Sequence, residues 1–281
     1  MENQKNQNSI VSPDVWQAEL DILDVIDSVC RRNKLRYSIA YGTMLGAVRH
    51  GGFIPWDDDV DIIMPREDYE KLISVWKQEK TQGYILQNKY TNWDFTQNFT
   101  KIRKDNTTFI HNEWEKHVSY HTGIFVDVFP GDRVPQQKIA RKMQLFVVAL
   151  NLLYARGHTS RSSGIRNIGE RFLLNVPVKI KKYIYRKTDS YIKKWNTQKK
   201  NAYFFPNTME WAYREYPCDL FDDLRDIDFA GHVYMCAKDT NKILTLDYGN
   251  YMELPPENER VLKHHPKILD TQHNLSEAIQ K

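Results

Sequence analysis

Residues 41 to 66 read YGTMLGAVRHGGFIPWDDDVDIIMPR, a segment that links a glycine turn to an acid-rich strand start. Arg36 to Tyr41 (RYSIAY) alternates like a half-buried strand and runs straight into Gly42-Thr43, after which Met44 to Arg49 reads as one or two helical turns. A glycine at a strand-to-helix junction lets a phosphate approach the backbone, where the helix N-terminus offers free N–H groups. Thr43 adds a hydroxyl donor. The acids that follow, Asp57, Asp58, Asp59 and Asp61, lead into an apolar run, Val60 to Met64, expected to be a buried strand. Side chains two apart on a strand share a face, so Asp59 and Asp61 project together. Two adjacent carboxylates repel each other unless a cation stands between them. Mg²⁺ (or Mn²⁺) suits such a pair, because it takes oxygen ligands and is completed by substrate phosphates. An acidic turn that merely caps the strand is the plainer alternative.

Further along, Gly123 to Phe129 (GIFVDVF) places one acid, Asp127, inside an apolar strand. Burying it unpaired is costly, so it is expected either to hydrogen-bond in the core or to join Asp59 and Asp61 as a third carboxylate. In the second role it can also accept the proton of an incoming hydroxyl. Cations for phosphate are Arg49, in the helix after Gly42, and Lys101 with Arg103, two apart on a predicted strand and therefore on one face. The four histidines between His50 and His121 show no metal-ligand spacing.

Around this centre the chain reads as mixed α/β in its first half and mostly α in its second. Ser12-Pro13-Asp14 starts a helix that ends near Arg32. Helices are expected at 66–78, 136–155, 165–196 and 239–246, and strands at 84–88 and 99–103. The division expected is a catalytic core over 1–135, a basic helical region over 136–215, and a C-terminal segment over 216–281 packing back on the core.

The 281 residues allow one large domain or two small ones at ~150 residues each. With 41% hydrophobic and 27% charged residues the chain can bury a sizeable core. The longest apolar-rich run, Met143 to Tyr154, is too short to span a bilayer. The polar start MENQKNQNSIV lacks the apolar stretch of a signal peptide. Three cysteines without CxxC spacing indicate neither a disulfide framework nor a zinc cluster. A cytoplasmic protein is expected. Its net charge of +4 is unevenly spread: residues 156–200 hold thirteen Lys or Arg and two acids, a net of +11, which leaves −7 for the rest. That suggests contact with a polyanion, an anionic membrane surface above all, against the plainer reading of a solvated helical face.

The segment YGTMLGAVRHGGFIPWDDDVDIIMPREDYEKL resembles the signature of the LicD family of phosphotransferases, within the nucleotidyltransferase superfamily and related to fukutin and fukutin-related protein. Lys101 to Arg103 (KIR), GIFVDVFP at 123–130 and YGNYMELPP at 248–256 follow in the family's order, so the resemblance spans roughly residues 20–265. It implies an α+β, nucleotidyltransferase-like core with a mixed β-sheet flanked by helices. It implies Gly42, Thr43, Arg49, Lys101 and Arg103 at the nucleotide and phosphates, and Asp59, Asp61 and Asp127 as the catalytic, metal-binding acids. The reaction implied moves phosphorylcholine from CDP-choline to a hydroxyl of a cell-surface glycan or teichoic acid precursor, with CMP released. Ribitol or glycerol phosphate from its own CDP donor, or nucleotidyl transfer, are the alternatives. A nucleic-acid partner is not expected, because unmetallated carboxylates repel phosphate. A quaternary ammonium cannot donate an N–H bond and is best held by aromatic faces, for which Trp56 and Trp93 are the candidates.

Overall fold

A computed structural model describes residues 11–79, 81–159, 164–262 and 266–280; the first ten residues, and 160–163 of the basic stretch, lie outside it. The elements in order are α1 (Pro13–Arg32), β1 (Ser38–Ile39), α2 (Tyr41–His50), β2 (Asp61–Pro65), α3 (Arg66–Trp76), β3 (Tyr84–Gln87), β4 (Thr100–Lys104), β5 (Thr108–Ile110) and β6 (Phe125–Arg133). Then come α4 (Lys138–Arg156), α5 (Ile165–Leu174), α6 (Val178–Lys193), β7 (Tyr203–Phe204), α7 (Met209–Ala212), β8 (Leu224–Phe229), β9 (His232–Ala237), α8 (Thr240–Tyr248), β10 (Ile268–Asp270) and α9 (Leu275–Ala278). This is mixed α/β with a sheet ordered β1-β2-β6-β4-β3, β7 pairing with β6.

The chain forms two compact units that interleave in sequence: residues up to 87, 101–128 and 221 onward, and residues 88–100 with 129–220. In the first unit, α1 starts as its sequence requires. Pro13 sits at the first turn, where its missing N–H is no loss, although the Ser12 hydroxyl makes no capping bond. Its inward stripe is Val15, Ala18, Ile22, Leu23, Ile26 and Val29, all nearly inaccessible. β2 lies between β1 and β6, and Ile62, Ile63 and Met64 are all buried. A strand covered on both faces reads as a continuous apolar run rather than an alternating one.

Three features depart from the sequence reading. The helix expected over 165–196 is broken into α5 and α6 by Pro177, which lacks a donor and disfavours helical geometry in the residue before it. The second half, expected to be mostly α, holds the hairpin β8–β9, paired from Leu224↔Ala237 to Phe229↔His232. Its two-residue turn is Ala230-Gly231, both at positive φ (53° and 84°), a geometry in which Ala is an uncommon first residue. β5 and β10 form a second unforeseen antiparallel pair.

In the second unit α4 and α6 pack around Val134, Val148, Ile192, Phe204 and Ala212. A neighbouring cluster of Tyr154, Ala155 and Tyr185 takes in Trp93 and Ile184. No helix among the described residues is long and apolar enough to cross a membrane.

Candidate active site

The strand-to-helix turn is made by an unusual backbone. Tyr41, buried and at φ 47°, is a bulky residue in the left-handed region, and it turns the chain abruptly from β1 into α2. The start of α2 is stitched to the start of β2: the Ala40 N–H donates to the Asp61 carbonyl (3.0 Å), and the Asp61 N–H donates to Thr43 Oγ1 (2.8 Å). Thr43 is therefore a fixed bracket whose hydroxyl proton points elsewhere. Gly42 is also required by a neighbouring side chain. A Cβ built there would stand 2.1 Å from Asp57 Oδ2, so the Asp57 carboxylate is seated directly against this glycine.

The acids converge as follows. Asp57 and Asp58 are buried in the loop before β2, and Asp59 precedes the strand rather than lying in it. The Asp127 N–H on β6 donates to the Val60 carbonyl (2.9 Å), so the third acid is registered beside the residue between Asp59 and Asp61. The next strand, β4, supplies a counter-ion: Lys101 Nζ lies 2.7 Å from Asp127 Oδ1 and 3.0 Å from Oδ2, and sits on the Phe125 ring at 3.2 Å from its centroid. Burial, followed by the charges of Asp59, Asp127 and Asp57, holds the Asp61 carboxyl well above the usual carboxylate range. Burial also raises Asp127, against the opposing pull of Lys101. The site therefore gathers several carboxylates, with Lys101 and Arg103 opposing their charge at Asp127.

Residues 34–144, which contain this constellation, match the family model described as LicD/FKTN/FKRP, nucleotidyltransferase domain. The chain is 28% identical over 253 residues to the lipopolysaccharide cholinephosphotransferase LicD of Haemophilus influenzae, covering 87% of this chain and 92% of that protein. The chain thus resembles the LicD family, through this segment in the family model and through most of its length in the Haemophilus relative. Uncharacterized proteins of Rickettsia prowazekii and Rickettsia typhi are each 46% identical over 55 residues, 20% of this chain and 21% and 18% of their own lengths.

Two further groups lie at this site, neither among the residues expected from the sequence. Glu19 on α1 is 1% exposed, and its Oε2 has no hydrogen-bond partner among the described residues. It stands one turn beyond Trp16, whose indole N–H donates to the Asp57 carbonyl (3.3 Å), so it shares the helix face that meets the acid loop. Burial, then Asp59, Asp58, Asp57 and Asp61, raises its carboxyl well above the usual range. The signal was an acid inside an apolar helical stripe. The second group is Tyr248 at the end of α8, whose phenol is raised by burial and then by Asp247, Asp61, Asp57 and Asp59. The signal was its position at the head of YGNYMELPP.

The remaining expected residues are engaged within the protein. Arg103 shares Lys101's face as the spacing requires, and its guanidinium carbon lies 5.1 Å from the Phe125 centroid. Its head donates to Gln87 Oε1 (2.7 Å) and the Gly123 carbonyl (2.5 Å), and burial brings its pKa down to about 10, which leaves it charged at neutral pH. Arg49 donates to the carbonyls of Tyr251 (2.7 Å) and Glu253 (3.2 Å), tying α2 to the chain after α8. Trp56 meets His50 edge-on at 6.2 Å and has the Arg260 guanidinium 5.7 Å from its ring. Trp93 belongs to the second unit, where Lys89 Nζ lies 4.4 Å from its ring and Lys182 Nζ 5.6 Å. Both rings expected to cradle a quaternary ammonium thus already face internal cations.

Among the described residues no three His, Cys, Asp or Glu side chains converge to ligate a metal ion by themselves. The donor chemistry still fits Mg²⁺. Asp59, Asp61 and Asp127 are mutual electrostatic neighbours, and Mg²⁺ is ordinarily held by one or two carboxylates, water and substrate phosphates.

Proposed function

We propose that this protein is a transferase that moves phosphorylcholine from CDP-choline to a hydroxyl of a cell-surface glycan, releasing CMP. The observation that carries the reading is the register of Asp127 against Val60, which brings a third carboxylate beside Asp59 and Asp61 with Lys101 behind it. The choice of choline is supported by a relative, the lipopolysaccharide cholinephosphotransferase of Haemophilus influenzae, matched over 92% of its length.

One or two of Asp59, Asp61 and Asp127 would hold Mg²⁺ (or Mn²⁺) together with substrate phosphate and water, and the ion would neutralise the donor's pyrophosphate charge when bound. Arg103 remains charged beside the site, and Lys101, paired with Asp127 although burial lowers its pKa, adds to that stabilisation. The acceptor hydroxyl oxygen forms a bond to the phosphorus bearing choline. The bond from that phosphorus to the oxygen bridging to CMP breaks, and its electron pair leaves with CMP. Asp127 takes the hydroxyl proton, a task its burial assists by raising its basicity. Glu19 closes the site from the α1 side. Catalysis of this kind is mainly positioning and charge stabilisation. The reaction belongs in the cytoplasm, where nucleotide-activated donors are available.

Ribitol or glycerol phosphate transfer is the second reading, favoured by the internal cations already facing Trp56 and Trp93. A panel of CDP-choline, CDP-ribitol and CDP-glycerol with Mg²⁺ and a glycan acceptor separates the readings by CMP release. Choline leading the panel supports the first; ribitol or glycerol leading it transfers the assignment.

A further inference from the structure

Helix α5 is built inside out. Its inward side carries Asn167 and Glu170, both buried, while Ile165, Ile168 and Phe172, at helical spacing i, i+3 and i+7, are 90%, 69% and 79% exposed. After the Pro177 break the exposed apolar surface continues through Val178, Ile180 and Tyr183 at the start of α6. The second half of α6 differs, since its Tyr185 and Ile192 are packed in the core, while α4 of the same unit also exposes Ile139 and Phe146.

The charge around the ridge has one sign. The two acids of residues 156–200 are both withdrawn from the surface: Glu170 lies against Arg156 (3.7 Å), and Asp189 pairs with Lys193 (2.7 Å) and accepts from the Tyr90 hydroxyl. Arg171, Lys179, Arg186 and Lys187 stay exposed. No exposed acid remains between 156 and 200 among the described residues.

We propose that α5 and the first turns of α6 dock this protein on an anionic lipid bilayer, with Ile165, Ile168 and Phe172 entering the headgroup boundary and the flanking cations meeting lipid phosphates. An interfacial helix needs both halves of this pattern, apolar residues on one side and Lys or Arg beside them. A soluble polyanion would engage the cations and leave the isoleucines and Phe172 in water. A second copy would bring the same cations against each other across a self-complementary contact. The inference is independent of which alcohol the donor carries.

The test is co-sedimentation of the full chain with phosphatidylcholine–phosphatidylglycerol vesicles and with phosphatidylcholine vesicles alone. Binding to the first only, weakened by added salt, is expected. Lys179→Gln and Arg186→Gln should each lower partitioning about fivefold. Phe172→Ser, at a site too exposed to matter for folding, should lower it about tenfold or more. Three results overturn the proposal. The first is wild type remaining in the supernatant at low salt. The second is binding that Phe172→Ser leaves unchanged, which assigns the surface to a soluble polyanion. The third is a concentration-dependent dimer that Phe172→Ser disperses while vesicles capture nothing, which assigns the ridge to a second copy.

Discussion

Lys101→Met removes the ammonium that offsets the acid cluster while keeping most of the side chain's volume against Phe125. The side chains of Lys101 and Asp127 are 11% and 10% exposed, so the pair is little screened by water. Removing one partner of a buried pair leaves an uncompensated charge and costs about 3–5 kcal/mol. At about 2–4 °C per kcal/mol, that corresponds to a fall of about 6–20 °C in Tm. The structure further predicts an asymmetry. Lys101→Met leaves Asp127 facing Asp59 and Asp61, whereas Asp127→Asn relieves that repulsion and keeps the ammonium on the Phe125 ring. Asp127→Asn should therefore cost less than Lys101→Met, and the double variant should recover most of the loss. Millimolar Mg²⁺ should raise the Tm of Lys101→Met more than that of wild type, because the added ion substitutes for the missing charge. Thermal unfolding followed by circular dichroism, with and without Mg²⁺, reads all of this. A Lys101→Met variant as stable as wild type, or one indifferent to Mg²⁺, refutes the reasoning.

Two further variants probe the site's surroundings. Glu19→Gln keeps the shape of a buried carboxyl without its charge. Burial and the neighbouring acids raise the Glu19 carboxyl well above its usual range in the folded state, while the unfolded chain releases its proton above about pH 4.3. Wild-type stability is therefore drawn down as pH rises through that value toward the raised folded one, and Glu19→Gln should stabilise the protein at pH 7 more than at pH 5 in urea titrations. The same gain at both values, or none, contradicts the burial argument. Gly46→Ala places a Cβ 2.4 Å from the Gly52 carbonyl oxygen, backbone against backbone, so α2 and the following loop must separate. A loss of about 1–3 kcal/mol on denaturation is expected, and a neutral result means the two segments are not held together.

Much of the catalytic unit was legible because its elements obey local rules. Pro13 starts α1, and the run Ile62-Ile63-Met64 reads as buried strand whichever sheet receives it. Lys101 and Arg103 had to share a face once β4 was a strand. What the sequence could not express was the pairing of distant elements. The side chain of Arg49 sits two residues before Gly51-Gly52 and looks free for phosphate, yet it is claimed by carbonyls some two hundred residues away. Gly42 looked like a phosphate turn, and the neighbour that requires it is Asp57. The hairpin β8–β9 was hidden because β8 carries the exposed charges Arg225, Asp226 and Asp228 and the turn runs through Ala-Gly rather than Asn-Gly. Glu19 was passed over because helical spacing marks a position as inward-facing and says nothing of what it will face.

The central claim is that Asp59, Asp61 and Asp127 act together in a CMP-releasing phosphotransfer. It is tested most directly by product analysis of the full chain with CDP-choline, Mg²⁺ and a lipopolysaccharide acceptor, wild type beside Asp61→Asn. The account predicts CMP and a choline-phosphorylated acceptor from wild type, and loss of nearly all turnover in Asp61→Asn with no fall in Tm, since the substitution relieves repulsion. Pyrophosphate with a nucleotide-labelled acceptor, or CMP release undiminished in Asp61→Asn, would contradict it.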